Sequence, residues 1–143
     1  MRFRLVAILA AGTLLLAVVG VALAAQPIAG YTYYTPTTSV SVYFKAVNAS
    51  RLTDFSAGLA LHCKAQCGGF GGVRSFTSKS VRVSKAGTFK ASGNILTVAN
   101  KKLGTETVTG RFVTATKVTG KVTTHANLGP YHGVTKRYTA TGT

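Results

Sequence analysis

Ser39-Val40-Ser41-Val42-Tyr43-Phe44-Lys45-Ala46-Val47 alternates apolar and polar residues without a break. In an extended chain Val40, Val42, Phe44 and Ala46 share one face, while Ser41, Tyr43 and Lys45 share the other. A period of two marks a half-buried strand, because successive side chains of a pleated backbone point to opposite sides. The same pattern continues downstream. Leu59, Leu61 and Cys63 form the next inward set, with Ala60, His62 and Lys64 opposite. Cys67-Gly68-Gly69-Phe70-Gly71-Gly72 then interrupts regular structure. This glycine run is not a phosphate cradle, which would need Gly-Lys-Ser/Thr and a following helix.

Further along, Val81 and Val83 predict a short strand that pairs with Phe89 and Ala91 through the turn Lys85-Ala86-Gly87, with Gly87 left-handed. That register sets Ser84 opposite Thr88, Val83 opposite Phe89 and Arg82 opposite Lys90. Ile95 to Val98 predicts another strand, ended by a turn at Asn100-Lys101-Lys102. Val108-Thr109-Gly110-Arg111-Phe112 is echoed by Val118-Thr119-Gly120-Lys121-Val122. The spacing is too short for a solenoid repeat and fits two strands of one hairpin, with Phe112 opposite Val118 and Gly110 opposite Gly120. Two facing glycines leave a notch that a backbone or an aromatic ring can enter. A last strand is expected at Lys136 to Thr141, after a Gly129-Pro130 turn. Short strands, tight turns and no amphipathic helix predict an all-β fold, a small antiparallel β-sandwich of Ig-like or jelly-roll-like type over 39–143, with 25–38 as a lead-in. An outer-membrane barrel would need longer strands and a lipid-facing apolar band.

Upstream, Arg2 and Arg4 precede an uncharged run from Leu5 to Ala25, closed by Ala22-Leu23-Ala24. A positive start, an apolar run and a small-x-small end make residues 1–24 a signal peptide, with Ala25 as the new N-terminus. The rival reading is an uncleaved anchor, since about 20 apolar residues span a bilayer. Either way the domain is expected outside the cytoplasm, secreted or envelope-associated. The 143-residue chain holds 17 Lys and Arg against 2 Asp and Glu, a formal charge of +15. Only Arg2 and Arg4 of those cations fall in the leader. Such an imbalance attracts anionic polymers and lipid headgroups and says nothing about fold. In an exported protein, Cys63 and Cys67 suggest a disulfide closing a very short loop; two free thiols are the alternative.

With these residues placed, the chain resembles a loose family of uncharacterised secreted actinobacterial β-sandwich proteins. The shared features are the signal peptide, Gly30-Tyr31, Val40-Ser41-Val42, Cys63, Gly87-Thr88-Phe89, the paired Thr-Gly-Arg/Lys strands and Tyr138-Thr139-Ala140. The resemblance implies export and a sandwich, and it implies no activity. Its members tend to carry a second Cys near the C-terminal strand, whereas Gly129 to Tyr138 has none. Cys67 then either replaces that partner of Cys63 or the long-range bridge is lost.

Few constellations carry chemistry. Asp54 and Glu106 are the only carboxylates, and both fall near expected strand ends, so the acid pair of a glycosidase is not expected. His62, Asp54 and any serine lack a nucleophile elbow. His62, Cys63 and Cys67, with His125 and His132 from later loops, are the nearest approach to a metal set. Adjacent residues of a strand point to opposite faces, however, and no second Cys pair exists. No cofactor is expected, and haem attachment would need Cys-x-x-Cys-His. Tyr31, Tyr33 and Tyr34 suit sugar stacking or, more commonly, a first strand. Asn48-Ala49-Ser50 is better read as a turn than as a glycosylation site. Outward cations Lys45, Arg82, Lys90, Arg111 and Lys121 form a basic sheet face suited to phosphate-bearing wall polymers or lipid headgroups. The bland account is solvated lysines and arginines that guard strand edges. The reading is a non-enzymatic interaction or structural module, with no specific nucleic acid and no small-molecule substrate. The alternative is a thiol- or metal-dependent protein using Cys63, Cys67 and His62.

Overall fold

A computed structural model describes residues 23–37, 39–61, 72–96, 102–126 and 132–143. Nine strands follow in chain order among the described residues: β1 Thr32–Tyr34, β2 Val40–Asn48, β3 Arg51–Leu61, β4 Gly72–Ser78, β5 Val81–Arg82, β6 Thr88–Leu96, β7 Lys102–Thr114, β8 Lys117–Ala126 and β9 His132–Gly142. All pairings are antiparallel. The all-β, antiparallel expectation holds. The Ig-like or jelly-roll-like sandwich is not what the pairing shows. The strands form one sheet in the order β4-β3-β2-β1-β9-β8-β7-β6, with β5 on β3. Apart from the β1–β9 joint and the β5–β3 pairing, neighbours in space are neighbours in sequence, so the sheet is a meander that curls toward closure.

Its two ends meet without a continuous ladder. A single bridge, Val83 to Phe89, joins the β5 end to β6, and the Phe76 ring of β4 lies against Gly93 of β6. A Cβ at Gly93 would collide with that ring, so the missing side chain is what lets the ends approach. Between β2 and β3 a bulge does similar work. Phe44 faces both Asp54 and Phe55, and Asp54 adopts a left-handed φ of 50°. Aspartate tolerates that conformation better than most residues. The extra residue resets the alternation, so that Leu52 and Phe55 both point inward.

The interior is filled with aromatic rings. Phe44 stacks on Tyr33 at 5.0 Å and on Phe55 at 5.6 Å, and meets Phe89 edge-on at 5.4 Å. Such pairs add roughly 0.5–1.5 kcal/mol each beyond area burial. Val40, Val42, Val83 and Phe112 are buried as the alternation predicts; the Leu61 side chain lies outside the described set. Residues 25–38, expected as a lead-in, supply β1 and the fully buried Tyr33. The Tyr33 hydroxyl donates to the Ala115 carbonyl at 2.6 Å and accepts from the Ile28 amide at 3.1 Å. Gln26 donates to the Lys85 carbonyl at 2.9 Å and Pro27 is buried, so the chain is already docked on the sheet at residues 26 and 27. Most of the expected leader, residues 1–22, lies outside the described residues. No helix among the described residues is long and apolar enough to cross a membrane.

Candidate functional site

The β7–β8 hairpin forms in the expected register, whereas β5 ladders with β3 and keeps the expected register toward β6 only at Val83–Phe89 and Ser84–Thr88. Gly87 has a φ of 69°, the Ser84 amide donates to the Thr88 carbonyl at 2.8 Å, and the Ser84 and Thr88 hydroxyls lie 2.7 Å apart. Across β7 and β8, Phe112 faces Val118 and Gly110 faces Gly120. The notch between these glycines opens inward, and Tyr138 fills it. Its ring lies against Gly120, and its hydroxyl donates to the Thr109 carbonyl at 3.3 Å. Burial pushes that phenol well above its usual range, so it serves as a neutral donor.

Outside the filled notch, Arg82, Lys90, Arg111 and Lys121 line one open groove across β5 to β8. A second groove shares Thr119, Gly120 and Lys121 with the first and extends to Arg137, Thr139, Pro36, Thr37 and Ser39. Together they make one track over the outer surface. Lys45 is exposed on β2, between Thr32 and Thr53, and lines neither groove. Arg82 is not laddered to Lys90 as expected. It pairs with Arg51 of β3, and the Val83–Phe89 bridge and the Ser84–Thr88 hydrogen bonds hold it beside β6. Sequence reasoning missed Arg51 and Arg137. Arg137 had a signal: it alternates with buried Tyr138 and so had to face out.

Neither carboxylate lines the track. Asp54 is exposed at the β3 bulge, three residues from the start of the strand. Glu106 also lies inside a strand; it faces inward from β7 and is fully buried. With one carboxyl outside and the other in the interior, they do not form the acid pair of a glycosidase. The track therefore has four expected cations plus Arg137 and no acidic lining residue to offset them.

His62, Cys63 and Cys67 lie outside the described residues, as does their proposed bridge. His125 and His132 stand not on loops but opposite each other on β8 and β9. Among the described residues no three His, Cys, Asp or Glu side chains gather to hold a metal ion. Of the tyrosines near the start, Tyr33 is core, Tyr31 half-buried and Tyr34 exposed, so they line a strand and do not form a platform. Asn48 closes a turn, its Oδ1 accepting from the Ser50 amide at 2.9 Å. No family model, curated protein or solved structure matches the chain.

Proposed function

We propose that the protein is an exported, non-enzymatic module that docks on anionic cell-envelope polymers through the β5–β9 outer face. The observation that carries the reading is the convergence of Arg82, Lys90, Arg111 and Lys121 on one groove that no carboxylate lines. Uncompensated cations cost self-repulsion, and a polyanion relieves it by replacing small counterions. A barrel-like fold can also carry a ligand inside, but here the aromatic rings occupy that space, which leaves the exterior for recognition. Export is supported by the Arg2–Ala24 leader and by features shared with the secreted actinobacterial family.

Retention of the exported protein on isolated cell-envelope material, measured against rising salt, tests the reading. Binding should fall steeply as the ionic strength passes from about 0.01 to 1 M, where screening shortens from roughly 30 to 3 Å. Arg82→Glu with Lys90→Glu should release the protein at low salt. Salt-independent retention, or retention unchanged by the double variant, would refute docking through this face.

A further inference from the structure

Register arranges the outward residues of this face in rows that run across the strands. Lys90, Thr109, Lys121 and Arg137 lie side by side on β6, β7, β8 and β9. One pleat away on one side, Thr88, Arg111, Thr119 and Thr139 make a parallel row. One pleat away on the other, Ser92, Thr107, Thr123 and Thr135 form a row of hydroxyls. The Ser92 and Thr107 hydroxyls are 3.0 Å apart, and those of Thr123 and Thr135 are 2.9 Å apart. A hydroxyl has one hydrogen to donate and lone pairs to accept, so each such pair uses one O–H and leaves the other for a ligand. None of the three rows contains an aromatic residue.

We propose that the polymer bound here is a phosphodiester-linked polyol chain. Laid across β6 to β9, its phosphates meet Lys90, Arg111, Lys121 and Arg137, and its hydroxyls meet the Ser92–Thr135 row. The proposal rests on the docking reading above and narrows it to one ligand chemistry. Three features set that chemistry. Lysine ammonium groups and arginine forks both suit phosphate oxygens. The hydroxyl row complements a chain that alternates phosphate with alcohol groups, both of which exchange hydrogen bonds with Ser and Thr. A single-stranded nucleic acid favours exposed aromatic side chains on which to stack its bases; the rows offer none, and the aromatics that line the two grooves, Phe89 and Tyr138, are buried. The continuity of the two grooves through Thr119, Gly120 and Lys121 gives a track several strands wide. That extent fits a polymer better than a single phosphorylated metabolite.

Titration of the exported protein with poly(glycerol phosphate), polygalacturonate and oligothymidylate of matched charge, at one fixed salt concentration, tests the proposal. Poly(glycerol phosphate) should bind about tenfold tighter than the other two, the effect of one or two extra neutral hydrogen bonds to the hydroxyl row. Thr107→Val with Thr123→Val keeps the shape and the strand preference of both residues and should erase that margin. Circular dichroism of the variant verifies its fold. Arg137→Gln should weaken binding severalfold, and Lys45→Gln should leave it unchanged. Equal affinity for all three polymers, or a margin that survives the valine pair, would overturn the polyol assignment while leaving charge-driven docking in place. Failure to bind any of the three would overturn both.

Discussion

Glu106 receives one hydrogen bond inside the sheet, from Thr124 Oγ1 to Oε2 at 3.5 Å, and its Oε1 meets no donor among the described residues. Gly93 on β6 and Thr124 on β8 flank it in register. Burial away from water penalises the carboxylate and lifts the group from 4.5 to about 8; the Thr124 contact works against that rise. The acid is therefore mostly neutral at physiological pH, a state an apolar interior tolerates far better than an unpaired charge.

This sets a pH dependence with a definite sign. Between about pH 4.5 and 8 the folded chain holds a proton that the unfolded chain has released. Stability is therefore greatest below that window, declines as the pH rises through it, and levels above about 8. The decline should be on the order of a few kcal/mol. Urea unfolding of wild type and Glu106→Gln at pH 5 and pH 8.5 measures it. The gap between the two proteins should widen in favour of glutamine at the higher pH, and a constant gap would contradict the assignment.

The notch filled by Tyr138 should be intolerant of any side chain. A Cβ at Gly120 would collide with the Thr109 carbonyl oxygen, a backbone atom held by the ladder, and with the Tyr138 ring. Gly120→Ala should cost roughly 1–3 kcal/mol or more by overpacking. Tyr138→Phe removes only the bond to Thr109 and should cost about 1 kcal/mol. Thermal melts distinguish the two, and an alanine variant as stable as wild type would refute the packing.

Arg51 and Arg82 stand directly opposite each other on β3 and β5, and both are exposed. Like charges so placed are unfavourable, and opposite charges favourable, by roughly 0.2–1 kcal/mol. Arg51→Glu should therefore raise the melting temperature by a few degrees at low salt, with the gain shrinking as salt is added. A lower melting temperature would show that this closure point depends on arginine for some reason other than charge.

Gly87 combines a left-handed φ of 69° with close contact to the Ala25 carbonyl. Gly87→Ala should cost at least about 1 kcal/mol through backbone strain alone. It should also loosen the segment held by Gln26, which faster proteolytic trimming near residue 26 would reveal. Unchanged trimming would mean that the segment docks independently of the turn.

The alternation of Val40 to Ala46, the Lys85–Gly87 turn and the pairing of Gly110 with Gly120 were all legible in the chain. Each depends on neighbours a few residues apart: side-chain parity, the backbone freedom of glycine, the length of one hairpin loop. Even the burial of Glu106 had a local signal, since it shares parity with Val108, Gly110 and Phe112. What local order could not specify was which distant edges meet. That β1 would join β2 to β9, that Arg82 would face Arg51, and that Arg137 would line up with Lys121 depend on one sheet curling round an aromatic interior. Parity tells a residue which face it occupies. Only the register of strands far apart in sequence tells it which side chains it stands beside, and the packing of the whole interior decides that register.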